Sequence, residues 1–72
     1  MRNVYIEARP KGRGDHEPIT HYVAEDDAGQ VLGVFDSQVA AIDWARKRGY
    51  VALLARIRQL NDKKVPHYWR SV

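Results

Sequence analysis

Lys63-Lys64-Val65-Pro66-His67-Tyr68-Trp69-Arg70 is where chemistry-bearing side chains are densest, with two lysines, three aromatic rings and an arginine in eight positions. Cations of this kind bind phosphates or carboxylates, and rings stack on bases or fill pockets. Trp, Tyr and Arg also dominate the hot spots of protein interfaces. Tyr68 and Trp69 have three destinations: the domain's own core, a groove on a partner protein, or a nucleic-acid strand. Docking on the core is the commonest fate of large rings in the tail of a small domain, and Trp44 is the expected other half of that docking site. Arg56 and Arg58 extend the basic series onto an expected strand, beside Tyr5 and Arg9 on the sheet face away from the helix. There Tyr and Arg can stack on bases and bind phosphates. The competing and favoured reading pairs Glu7 with Arg56 or Arg58 across strands and leaves that face solvated, since the motif aromatics of sheet-type RNA binders are missing. The candidate binding set is therefore Arg56, Arg58, Lys63, Lys64, His67, Tyr68, Trp69 and Arg70.

Catalytic and metal-binding patterns are weak by comparison. With no cysteine, thiolate catalysis and cysteine-based zinc sites are excluded. The three histidines are His16, His21 and His67, none four residues from another as helical metal ligands would be. His16 and His21 with Asp15 or Glu17 make the one conceivable two-histidine, one-carboxylate group; histidines exposed to water on a loop and a strand are the preferred reading. Ser37 and Ser71 are the only serines, and no Gly-x-Ser-x-Gly frames either. Gly12 and Gly14 do not lie between a strand and a helix, so no phosphate-cradling loop is expected. Adjacent Asp26 and Asp27 on a turn read as solvated charge, and Arg13-Gly14-Asp15 reads as part of a polar loop. The expectation is a non-enzyme with no catalytic residue, no metal and no cofactor.

The 72 residues suffice for one domain, residues 1–72, with a thin core. At 44% apolar and 29% charged, the composition is that of a globular rather than a disordered chain. The net charge of +3 is divided unevenly: residues 1–43 carry four basic and eight acidic side chains, residues 44–72 eight basic and one acidic. A half at +7 attracts polyanions; it also complements the half at −4, within one molecule or between two. No signal-like apolar region opens the chain, and the longest apolar run, residues 50–55, is far too short to span a bilayer. Together with the missing cysteine, this leads to the expectation of a soluble cytoplasmic protein with no membrane partner.

The elements that must position these groups follow from periodicity. Val4, Ile6 and Ala8 alternate with Tyr5, Glu7 and Arg9 in a half-buried strand that Pro10 ends. Residues 19–35 form a hairpin around Asp26-Asp27-Ala28-Gly29. A helix then starts at Asp36 or Ser37, buries Val39, Ala41, Ile42 and Ala45, and stops at Gly49, with Arg46, Lys47 and Arg48 in its last turn. Residues 50–60 suit a strand or a second helix; a strand is favoured, with Val51, Leu53, Ala55 and Ile57 on one face and Arg56 and Arg58 on the other. The tail is a turn followed by an extended segment. The expected fold is α+β, in β-β-β-α-β order, with an antiparallel sheet of three to four strands and one helix on one face.

Arg56-Ile57-Arg58-Gln59-Leu60-Asn61-Asp62-Lys63-Lys64-Val65-Pro66-His67-Tyr68-Trp69-Arg70 resembles the C-terminal signature of a family of small proteins of unknown function from Pseudomonas and related bacteria. Tyr5-Ile6-Glu7-Ala8-Arg9-Pro10 and Ala41-Ile42-Asp43-Trp44-Ala45-Arg46 are similar to segments of the same family. Residues 22–46 are more loosely similar to other small bacterial ββα domains. The resemblance implies a bacterial, cytoplasmic domain and carries no catalytic residues. The function expected from all of this is a small non-catalytic protein-interaction module that binds a partner protein or a second copy of itself, as a homodimer. The alternative is nucleic-acid binding through the basic C-terminal half.

Overall fold

A computed structural model describes residues 2–10, 14, 16–55 and 62–72. The chain is α+β: β1 (Asn3–Arg9), β2 (His21–Glu25), β3 (Val31–Phe35), α1 (Gln38–Lys47), β4 (Val51–Ala55), one 3₁₀ turn (Pro66–Tyr68) and β5 (Trp69–Ser71). The strands form one sheet in the order β3-β2-β1-β4-β5. Two features differ from the expected antiparallel sheet of three to four strands. First, β1 and β4 are parallel, with Val4 opposite Ala52 and Ile6 opposite Leu54. The cause is α1, which carries the chain back along the sheet before β4 enters, as a parallel neighbour requires. Second, the tail supplies a fifth strand, β5, antiparallel to β4 with Ala55 opposite Trp69.

The local signals act as their chemistry dictates. Asp26 organises the β2–β3 turn: its Oδ1 accepts from the Ala28 and Gln30 amides, each at 2.9 Å. Gly29 takes φ +84° there, a conformation that a Cβ penalises. Ser37 caps α1, its Oγ accepting from the Ala40 amide at 3.1 Å, and Gly49 ends it at φ +76°. The β1–β2 connection is closed by the Thr20 amide donating to the Arg9 carbonyl at 2.8 Å.

The core between α1 and the sheet is Val4, Ile6, Ala24, Ala41, Ala45, Ala52 and Leu54, of which Ala41 and Ala45 come from the helix. Four of these seven are alanines, so little side-chain volume separates helix from sheet. Val39, expected inside, is 75% exposed; it stands about 200° of helix rotation from Ala41, on the outer side. In β4 the faces are the reverse of those expected. Ala52 and Leu54 lie under the helix, and Leu53 pairs with Tyr5 on the far side. The parallel register with β1 sets this phase. Arg56, Arg58 and the rest of residues 56–60 lie outside the described residues, as do Arg13 and Asp15. Among the described residues no helix is long and apolar enough to cross a membrane.

Candidate functional site

The sheet face opposite α1 is covered by the tail. Alternation along β1 sends Tyr5, Glu7 and Arg9 to this face, and the register brings Glu25 opposite Tyr5. Trp69, at the start of β5, lays its ring edge-on to Tyr5 with centroids 4.8 Å apart and planes at 76°. Its Nε1–H donates to the Asp62 carbonyl at 3.1 Å, tying the start of the turn to its end. Tyr5 is 7% and Trp69 4% exposed, so β1, whose Val4 and Ile6 lie under the helix, is buried on both faces.

Beside the rings lies a line of charges. Glu25 is buried, and its two carboxylate oxygens take different cations: Oε2 accepts from Arg9 Nη2 at 2.6 Å and Oε1 from Lys63 Nζ at 2.7 Å. Arg9 Nη1 also donates to Glu7 Oε1 at 3.2 Å. The Lys63 ammonium stands 5.3 Å from the Tyr5 ring centroid, where the ring's negative face attracts it. Burial pushes the Tyr5 phenol above its ordinary value of 10.0, and the Asp27 carboxylate that its hydroxyl faces pushes it further. An open recess of about 320 Å³ remains at the edge of this cluster, lined by Glu7, Glu25, Asp27, Asp62, Lys63 and Lys64. Its central carboxylate is already satisfied by two cations. Among the described residues no three His, Asp or Glu side chains are arranged to hold a metal ion.

The tail residues singled out from sequence therefore separate. Trp69 docks on its own domain, but on Tyr5 rather than on Trp44, because β5 joins the sheet and its first side chain points away from the helix. Lys63 is taken up by Glu25. Lys64, His67 and Arg70 are exposed, and Tyr68 is half-buried with its ring 5.0 Å from that of His67. Arg70 pairs with Leu54 and so stands on the helix side, across the sheet from Trp69. Glu7 has Arg9, two residues away on its own strand, as its ion-pair partner. Of the histidines, His16 is exposed and His21 Nδ1 lies 2.9 Å from the Thr20 hydroxyl.

Two surfaces lie outside the residues singled out from sequence, which named an exposed strand edge but not its strand. On the helix side, Phe35, Trp44 and Tyr50 form a row with centroid separations of 5.3 and 5.6 Å. The Arg48 guanidinium stands 5.1 Å from the Trp44 ring centroid, and that of Arg2 stands 5.9 Å from the Tyr50 ring centroid. The spacing of four between Trp44 and Arg48 was a readable signal. The arrival of Arg2 was not, since it depends on β1 lying beside β4, where the Val51 amide donates to the Arg2 carbonyl at 2.8 Å. The second surface is the outer edge of β3, where Val31 is 47% and Val34 63% exposed. No protein-family model, curated protein or solved structure matches the chain.

Proposed function

We propose that this protein is a small non-catalytic interaction module that pairs with a second copy of itself along β3. The observation that supports this is an uncharged strand edge. Exposed edges are ordinarily blunted by lysine, proline, an inward-pointing charge, a bulge or a very short strand; β3 has a bulge at Leu32, where its register against β2 shifts, and Gly33–Phe35 stay regular. Val31-Leu32-Gly33-Val34-Phe35 has five residues, no charge and no proline, and ends the sheet with two exposed valines. At the other end β5 has three residues and carries Arg70.

A second copy suits this edge chemically. Antiparallel pairing of the regular end of two β3 strands about Val34 puts Val34 opposite its own copy and Gly33 opposite Phe35, which share the helix face. The nearest charge, Asp36, falls opposite Leu32, so no like charges meet across the two-fold axis. Association also answers the thin alanine-rich core, because small domains commonly gain burial between copies. Two five-stranded sheets would become one continuous sheet.

Sedimentation equilibrium tests the proposal. The expected result is a dimer that dissociates on dilution and is converted to monomer by Val34→Lys. The exposure of Val34 makes that substitution neutral for the folded monomer, which circular dichroism checks. A wild-type chain that stays monomeric at about millimolar concentration, or a dimer indifferent to Val34→Lys, overturns it.

A further inference from the structure

We infer that the surface formed by Trp44, Tyr50, Arg2 and Arg48 binds single-stranded nucleic acid. The surface lies at the C-terminal end of α1, where the helix, the N-terminal residues of the chain and the entry to β4 converge. Both rings are half-buried, so their positions are fixed by packing while part of each remains open. Their centroids are 5.6 Å apart with planes at 66°. Each ring has a guanidinium near it, Arg48 by Trp44 and Arg2 by Tyr50. Planar guanidinium and aromatic groups are the two kinds of side chain on which unpaired bases stack.

The charges point the same way. Arg46, Lys47 and Arg48 are successive exposed cations at the helix end, and Arg2 is exposed beside them. Among the described residues only Lys47 of these four has a carboxylate, Asp43, at 3.0 Å. The helix dipole favours cations at this end, which accounts for Arg46 and Arg48 but not for Arg2, brought here by the sheet. Among the described residues the result is two arginines, Arg2 and Arg48, without a carboxylate beside two half-buried rings, while Arg46, about 200° of helix rotation from Trp44, adds charge on the other side of the helix end.

The shape selects a single strand over a duplex. Nothing here projects far enough to enter a groove, because the rings lie flush with the surface and β4 begins immediately after Tyr50. Without such a projection, bases must come to the surface, and only an unpaired strand can turn them out. Stacking on rings and guanidinium planes tolerates any base, so base preference is expected to be slight. The Trp44 ring touches Phe35 of β3, but Arg2, Arg48 and Tyr50 belong to other parts of the chain, and occupation of this surface does not depend on self-pairing.

The test is a titration of the whole chain with oligothymidylate and oligouridylate, followed by amide and indole NMR. The protein contains two tryptophans, and they lie on opposite faces of the sheet, so each indole N–H reports a different surface. The expected result is movement of the Trp44 indole and the Arg46–Tyr50 amides, with the Trp69 indole unmoved. If two phosphates are neutralised, affinity should fall about sevenfold on a fourfold rise in salt, from a slope of 0.7 per phosphate. Arg48→Glu should weaken binding at least about tenfold, and Arg70→Glu, opposite Leu54 at the end of β4 remote from Tyr50, should change it less than about twofold. Both positions are exposed, so folding is retained, and the undisturbed Trp69 indole confirms it.

Four results would overturn the inference. One is no movement of Trp44 at saturating oligonucleotide. Another is equal binding of a base-free polyphosphate, which would make the surface a plain anion site. Equal binding of duplex would remove the stacking argument. Equal sensitivity to Arg48→Glu and Arg70→Glu would make the attraction a property of net charge.

Discussion

Replacing Trp69 by alanine is the sharpest probe of how this fold is held. Trp69 is 4% exposed, packs edge-on to Tyr5 and donates to the Asp62 carbonyl at 3.1 Å. Emptying a buried Trp site costs about 3–5 kcal/mol, including the cavity left behind. The exposed Asp62 can recover a water for its carbonyl, so the lost hydrogen bond adds little. Lys63 and Glu25 lie beside the site, and their ion pair would be opened to water, which places the total towards the upper end. A chain of 72 residues has about 4–11 kcal/mol of stability in all. Trp69→Ala should therefore be close to half unfolded at room temperature, or cross that line on mild warming. Trp69→Phe keeps the ring contact and loses the donor. It should cost about 1–2 kcal/mol and lower the melting temperature by about 5–15 °C. Thermal and urea unfolding followed by far-ultraviolet circular dichroism measure both. If Trp69→Ala melted within a few degrees of wild type, the tail would not be a stabilising part of the sheet, and the cluster on Tyr5 would have to be abandoned as a second core.

Three more outcomes are expected. Glu25→Gln leaves Lys63 without its carboxylate and Arg9 with Glu7 alone, their side chains only 18% and 15% exposed; a loss of about 2–4 kcal/mol is expected in urea denaturation, below the full buried-pair cost because some water reaches both cations. A double-mutant cycle with Lys63→Met should show coupling above about 0.5 kcal/mol, and additivity would disprove the contact. Because the Tyr5 phenol is raised when folded, the stability from its neutral form is complete below pH 10.0, the unfolded value, and lost as pH rises through the folded one. One of the four tyrosines should thus ionise after the others in an absorbance titration, with Tyr5→Phe removing that late step and softening the alkaline fall in stability. Gly49 sits at φ +76° with open space around its missing Cβ, so Gly49→Ala should lose about 1 kcal/mol from backbone strain alone; no change in melting temperature would refute that assignment.

What the sequence determined by itself is local. The alternation of Val4, Ile6 and Ala8, the Asp26–Gly29 turn and the span from Ser37 to Gly49 are short-range patterns whose partners lie within a few residues, so hydrogen-bond geometry and side-chain period suffice to read them. The strand at residues 51–55 was legible for the same reason, because Gly49 stops the helix just before it. Which way that strand ran, and which of its faces met the helix, was decided by the parallel register with β1, a pairing across almost fifty residues that no local pattern encodes. The tail shows the same division. Its composition announced that Trp69 needed a place, and only the assembled sheet chose Tyr5 over Trp44, because β5 fixes the side from which its first residue projects. The clustering of Arg2 with Tyr50 and Trp44, and the exposure of the β3 edge, likewise exist only once five strands are laid in order. Local chemistry determines the pieces, but contacts between residues far apart in sequence depend on how the pieces pack, and in this chain those contacts form both candidate surfaces.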